Sequence, residues 1–133
     1  MFLSGLTPKQ QEAFLNLAYT MVYADNQLAI EEKKLFDSYK VELTEVNFSK
    51  AHKVDFNEEL SAFDNCDQKT KVSVFFELYA IALIDKEYPE EEKILVDIMQ
   101  RRLGITDEKM QEMRDGVATL VAAYDKLKKI VES

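Results

Sequence analysis

The sequence is poor in the residues that tight turns and disulfides commonly use. It contains no tryptophan, 3 glycines, 2 prolines and a single cysteine, Cys66. Scarce glycine and proline leave little material for hairpin turns, and the many Leu, Ala, Glu and Lys residues favour helices. One cysteine excludes an internal disulfide and suits a reducing compartment. The composition therefore predicts an all-α fold.

Long hydrophobic runs are also missing. The longest, VSVFFELYAIALI at 72–84, contains Glu77 and is shorter than the roughly 20 residues that a membrane helix needs. The first residues, MFLSGLTPK, place no basic stretch before an apolar run, so no secretory signal is predicted. We therefore predict a cytoplasmic protein without direct membrane insertion.

Positive charge is the minority. The chain has 25 Asp and Glu residues against 17 Lys and Arg, which gives a net charge of -8. A field of this sign repels nucleic acid phosphates and anionic membrane surfaces, so we expect partners among proteins, copies of the same chain or cations. At 133 residues the chain is predicted to form one domain over 1–133.

The first half of the sequence has a clear helix start. Thr7, Pro8 and Gln10 form a capping signal for a helix that we expect to reach about Ala24. A second helix is predicted from about 30 to 40 after a short polar corner. The residues predicted to face inward at helical spacing in these two helices are Phe14, Leu17, Ala18, Met21, Val22, Leu35, Phe36 and Tyr39.

The middle of the chain has a weaker pattern, with short helical candidates near 48–53 and 57–63. The next helix, predicted at 68–84 with Asp67 as its cap, is apolar on nearly every face in its second half. We expect it at the centre of a bundle. Its partner is predicted at 90–102, ended by Gly104. The inward residues expected there are Ile94, Leu95, Ile98 and Met99.

A heptad pattern marks the C-terminal helix, predicted at 106–132 with Thr106 as its cap. Its apolar stripe consists of Met110, Met113, Val117, Leu120, Tyr124, Leu127 and Val131. Because three heptads are a short run for a coiled coil, we expect the stripe to lie on the protein's own core. A face for a partner or a second copy is the alternative.

One stretch of the chain is repeated. YADNQLAIEEKKLFD at 23–37 returns sixty residues later as LIDKEYPEEEKILVD at 83–97. The match extends over two helix-corner-helix units, 14–43 and 74–103. Two units are too few for an open solenoid, so we predict a closed bundle of two pseudo-repeated units.

These corners resemble a known family. ADNQLAIEE at 24–32, IDKEYPEEE at 84–92 and the following RRLGIT are similar to the motif of the tellurite-resistance TerB-like family, also found at the start of the DjlA co-chaperone. The resemblance covers most of 12–106 and implies about seven helices and a link with stress-response systems. The family usually has glycine after the aspartate, where this chain has Asn26 and Lys86.

The resemblance also implies a divalent-cation site. Carried over position by position, its ligands are Asp25, Glu32, Asp85 and Glu92. Carboxylates are hard oxygen ligands that suit Ca²⁺ or Mg²⁺. A second interpretation needs no metal: the aspartates accept backbone N–H groups in the turns, and the glutamates stabilise the helix starts that follow.

Residues for catalysis are few. His52 and Cys66 are the single members of their kinds, and the sequence has no phosphate-binding loop. Glu77 is expected at the wet edge of its helix. We predict a non-enzymatic, stress-response-associated binding module that holds a divalent cation. The alternatives are a structural or protein-interaction domain that acts through the C-terminal helix and, more remotely, a divalent-dependent hydrolase.

Overall fold

The computed structural model describes residues 2–24, 30–84 and 90–133, with the backbone alone at 30–32. Throughout these ranges the chain is helical and forms no strand. Its six α-helices are α1 (Pro8–Val22), α2 (Ile30–Ser38), α3 (Phe56–Glu59), α4 (Gln68–Ile84), α5 (Glu90–Leu103) and α6 (Asp107–Glu132). Two short 3₁₀ turns cover Phe48–Lys50 and Leu60–Phe63. The all-α class is confirmed, whereas a closed bundle of about seven helices stays a prediction.

Helix starts follow the predicted caps. Thr7 Oγ1 accepts a hydrogen bond from the Gln10 N–H at 3.2 Å, and Gln10 Oε1 accepts one from the Thr7 N–H at 3.0 Å. The Asp67 carboxylate accepts the Thr70 N–H at 2.8 Å, and the Thr106 hydroxyl accepts a backbone N–H at the start of α6 at 3.1 Å. Local side-chain chemistry is enough to place these starts.

The helices α1 and α2 form the first hairpin, and both end before their predicted limits at Ala24 and Lys40. The Ala24 N–H donates to the Met21 carbonyl at 3.3 Å, and the Lys40 N–H donates to the Asp37 carbonyl at 3.2 Å. These bonds reach back three residues instead of four, which tightens the last turn and ends the α-helix.

The apolar helix α4 lies at the centre of the bundle, as predicted, and packs against α1, α2, α5 and α6. Its Val74, Phe75, Leu78 and Ile81 are fully buried. A helix with apolar residues on all sides needs neighbours on all sides, and α4 has them. No helix in the described ranges is long and apolar enough to cross a bilayer.

The helices α4 and α5 form a second hairpin, whose helices begin sixty residues after those of the first. α1 and α4 begin at residues 8 and 68, and α2 and α5 begin at 30 and 90. Eight buried positions of the first hairpin are also buried in the second: Phe14, Leu15, Ala18, Met21, Val22, Phe36, Tyr39 and Leu43 correspond to Val74, Phe75, Leu78, Ile81, Ala82, Val96, Met99 and Leu103. This agreement supports the predicted repeat of 14–43 and 74–103.

Three of the four residues predicted to face inward on α5 do so: Met99 is buried, and Leu95 and Ile98 are partly buried against the core. Ile94 was expected inside and is 53% exposed, so that prediction was wrong. The buried positions are Glu92, Val96, Met99 and Leu103, which follow steps of four, three and four. They form one helical face, and Ile94 lies off it.

A polar side of α1 holds the weakly patterned segment of the chain. Gln11, Asn16 and Thr20 are all buried. Their side-chain oxygens accept backbone N–H groups from residues within 45–54, at 3.2, 3.3 and 3.1 Å. Because these side chains satisfy backbone N–H groups, the 45–54 segment lies on the core with one 3₁₀ turn and no α-helix.

Candidate interaction face on the C-terminal helix

The C-terminal helix α6 is longer than the bundle beneath it. It runs uninterrupted through Gly116, as predicted. Met110 is 8% exposed, and Met113 and Val117 are half-buried. From Ala118 to the end of the chain every residue is exposed. We call 107–117 the root of α6 and 118–132 its distal half, which is about 22 Å long at 1.5 Å per residue.

The distal half carries a row of exposed apolar side chains, which we call the distal stripe. It consists of Leu120 (58% exposed), Val121 (50%), Tyr124 (66%), Leu127 (62%), Ile130 (61%) and Val131 (82%). The heptad stripe was expected to lie on the protein's own core. That expectation holds for Met110 and in part for Met113 and Val117, and it is wrong for Leu120, Tyr124, Leu127 and Val131. The helix extends past the described elements that cover its root.

The root is held in a defined direction. The Ile105 N–H donates to the Gln100 carbonyl at 3.0 Å, and Gly104 adopts a φ of 69°, a left-handed conformation that favours glycine. The Gln100 side chain donates to Asp107 at 2.8 Å, and Arg114 Nη1 donates to the Tyr79 hydroxyl at 2.8 Å. The distal half therefore projects from a fixed base.

An open apolar groove of about 370 Å³ lies beside the root. Phe2 and Phe76 form one wall, their rings packed edge to face with centroids 5.6 Å apart. The residues contributed by α6 are Lys109, Glu112, Met113, Gly116, Val117 and Leu120. Leu120 also belongs to the distal stripe, so the root groove and the stripe form one continuous apolar surface.

Glu77 holds one wall of the root groove in place. It is 3% exposed, and its Oε1 accepts the Phe2 N–H at 2.8 Å. Its expected position at the wet edge of the helix was therefore wrong. The Tyr39 hydroxyl donates to the Glu77 carbonyl oxygen at 3.2 Å. Burial, with the nearby charges of Glu77 and Glu42, raises the pKa of the Tyr39 phenol far above its usual value.

The wall residues Phe2 and Phe76 were not singled out from the sequence. Phe76 lies one position from Glu77, and the buried carboxylate binds the N-terminal backbone. A carboxylate inside an apolar run was the available signal, since such a group needs a hydrogen-bond partner when it is buried.

Charge is divided along α6. Four acidic residues and two basic residues lie in the root: Asp107, Glu108, Glu112 and Asp115 with Lys109 and Arg114. The distal part of the chain, 118–133, has the opposite balance, with Lys126, Lys128 and Lys129 against Asp125 and Glu132. The root therefore has a net charge of -2 and the distal part +1.

The predicted metal ligands lie mostly outside the described residues. Asp25 and Asp85 fall in the two corners that are not described, and Glu32 is described by its backbone alone. Glu92 is buried at 1% exposure in the first turn of α5. Elsewhere in the described ranges, no three His, Cys, Asp or Glu side chains group together as a metal ion requires. Whether the corners meet stays a prediction.

His52 and Cys66 contact different residues. The Cys66 sulfur accepts a hydrogen bond from the Gln10 side chain at 3.2 Å. The His52 Nδ1 lies 2.9 Å from the Lys50 carbonyl oxygen. Neither contact joins the histidine to the cysteine.

Comparison with known proteins gives no relative. No family model, no curated protein and no solved structure matches this chain. The TerB-like resemblance and its implied stress-response link therefore stay predictions that rest on the corner motif.

Proposed function

We propose that this protein is a non-enzymatic binding module that engages another polypeptide through the distal stripe of α6. One observation carries the proposal: six large apolar side chains, each at least half exposed, lie on a helix that stands clear of the bundle. Burying apolar surface stabilises by about 25 cal/mol per Å², and surface that stays in water lacks this stabilisation. Contiguous exposed apolar surfaces on folded proteins are typical of interaction sites.

The spacing of the stripe suits helix recognition. Leu120, Tyr124, Leu127 and Val131 follow steps of four, three and four, the pattern of anchors that an amphipathic helix inserts into an apolar groove. The helix is already formed, so binding costs less ordering entropy than for a disordered segment. Tyr124 supplies an aromatic anchor of the kind enriched among the residues that dominate binding energy.

Site-specific photo-crosslinking in the native host tests this proposal. A photoreactive amino acid at position 124 lies in the stripe, and one at position 122 lies on the opposite face of the same exposed helix. We expect covalent adducts with a polypeptide from position 124 and few from the matched control. Equal yields at both positions, or none at either, would contradict the proposal.

A buried carboxylate favours a second candidate function. We propose that the duplicated corners bind Ca²⁺ or Mg²⁺ through Asp25, Glu32, Asp85 and Glu92. The supporting observation is Glu92, an acidic side chain at 1% exposure at the start of α5. Its carboxylate supplies hard oxygen ligands of the kind that Ca²⁺ and Mg²⁺ prefer.

Thermal unfolding with and without Ca²⁺ or Mg²⁺ tests the metal site. Binding to the folded state at 100 times Kd stabilises by about 2.7 kcal/mol, so Tm should rise and saturate. Asp85→Asn should abolish the rise and, without metal, should raise Tm by relieving repulsion. Asp125→Asn makes the same charge change on the distal half of α6 and should keep the metal response. If neither Ca²⁺ nor Mg²⁺ changes the Tm of the wild-type protein, the proposed metal site is contradicted.

A further inference from the structure

We propose that the polypeptide bound by the distal stripe is a second copy of this chain, paired antiparallel. The distal half of each α6 lies in the root groove of the other copy. This inference rests on the proposed interaction through α6 and names its partner.

The length of α6 fits this pairing. With the two helices centred between Val117 and Leu120, Tyr124 of one copy lies opposite Met113 of the other. Residues 121–130 then run alongside 107–116, which is the part of α6 that lines the root groove. The two helices overlap over 107–130, about 36 Å at 1.5 Å per residue. The stripe and the groove are each covered by the other copy, as a twofold interface requires.

The division of charge selects the antiparallel direction. A parallel pair places three lysines of one distal half beside the same three lysines of the other, and the acidic roots beside each other. The antiparallel pair places the distal part, at +1, along a root at -2. Lys128 of one copy then lies near Asp107 of the other. Complementary charges fix the orientation of paired helices, and like charges oppose the alternative.

The rest of the molecule also favours the antiparallel direction. Residues 1–117 contain 23 of the 25 acidic residues and 14 of the 17 basic residues, a net charge of -9. Two such bodies repel each other, and the antiparallel pair holds them farther apart than the parallel pair does, with each distal part along a body of opposite charge. An anionic membrane surface repels that same body.

Gly116 independently supports a close approach of the two α6 helices. A glycine inside a helix is destabilising relative to alanine. A Cβ at Gly116 would meet no atom within 4 Å, so the packing within one copy does not require the glycine. In the antiparallel pair Gly116 lies beside Ala123 of the second copy, because both residues directly precede a stripe residue and flank the same edge of the stripe. A missing side chain there lets the two helices approach closely.

Sedimentation equilibrium of the intact chain tests the association. We expect a dimer at tens of micromolar, weakened about tenfold or more by Leu127→Ser, because a few large apolar anchors supply most of the binding energy. Gly116→Gln should weaken it similarly while keeping or raising the stability of the monomer, which separates association from folding. Ala122→Gln on the opposite face is the matched control and should leave the dimer unchanged.

Disulfide trapping tests the direction. In a Cys66→Ser background, single variants Met113→Cys and Tyr124→Cys are mixed and oxidised. Antiparallel pairing predicts the disulfide between the two different variants. A disulfide between two Tyr124→Cys chains instead would show parallel pairing and overturn the proposal.

The outcomes also separate this inference from the proposed function. A chain that stays monomeric at hundreds of micromolar, while position 124 still crosslinks to a different protein, overturns the second copy and leaves the interaction face standing. Binding of the monomer to phosphatidylserine vesicles, abolished by Leu127→Ser, would assign the stripe to a lipid surface and would also overturn the proposal.

Discussion

The two halves of α6 share one heptad pattern and have opposite surroundings. Met110 in the root is 8% exposed, whereas Leu127 in the distal half is 62% exposed. The difference lies in the neighbours: Phe76 borders the groove beside the root, and Tyr79 binds the root through Arg114. A repeating apolar pattern predicts that one face of a helix is apolar, but it does not show which surface covers that face.

The largest effect should come from breaking the core next to the root, where the Phe75 ring packs against Tyr79, which binds the root through Arg114. Phe75→Ala removes a fully buried ring from α4 and should cost about 3–5 kcal/mol of unfolding free energy. Urea denaturation followed by circular dichroism measures it. Tyr124→Ala, an aromatic at 66% exposure in the distal half, is the matched control and should change monomer stability by less than about 0.5 kcal/mol. Similar losses for both would remove the distinction between the halves.

A smaller effect should appear inside the heptad stripe itself. Met110→Ala leaves a cavity at the edge of the core and should destabilise by about 2 kcal/mol. Leu127→Ala should have almost no effect at concentrations where the chain is monomeric, because its side chain already contacts water. Chemical denaturation of both variants at low micromolar concentration makes the comparison. A loss from Leu127→Ala equal to that from Met110→Ala would mean that the distal half packs within one copy.

The smallest effect concerns a surface ion pair of the body. Arg102 donates to both carboxylate oxygens of Asp64, at 3.1 and 3.0 Å. This guanidinium holds the pKa of the Asp64 carboxyl below its usual value. Because the folded pKa is lower than the unfolded one, the pair stabilises above about pH 4, and its contribution is lost as the pH falls through the folded pKa.

Arg102→Gln should therefore lower Tm slightly at pH 7, and the difference from wild type should shrink near pH 2, where only the bonds from Arg102 to Asn57 remain to be lost. Lys126→Gln removes a positive charge from the exposed distal half and is the control, with little change in monomer Tm at either pH. A Tm difference for Arg102→Gln that persists undiminished near pH 2 would show that the arginine acts through packing instead of charge.

Local signals predicted much of the helical framework. The range 68–84 was predicted residue for residue, and Thr7, Asp67 and Thr106 cap the helices as expected. These predictions succeeded because capping and helical periodicity act within a few residues. The exposed apolar face of α6 was predicted only as the less favoured alternative. The heptad spacing predicts an apolar face but does not show whether the protein's own core covers it.

Three residues show why the rest was out of reach. Glu77 is buried because a backbone N–H seventy-five residues away in sequence binds it. Ile94 is exposed because packing selects a neighbouring face of α5. Leu127 is exposed because α6 extends beyond the described elements that cover its root. In each case the outcome depends on which other elements of the chain pack against the residue.

By itself the sequence determined the helical class, the helix starts, the doubled hairpins and the apolar face of α6, because all of these follow from short-range spacing, capping chemistry and repetition. Only the tertiary structure decided which half of that face stays in water, which carboxylate becomes interior and where an apolar groove opens. Burial depends on which elements meet in space, and that is a property of the packed chain as a whole.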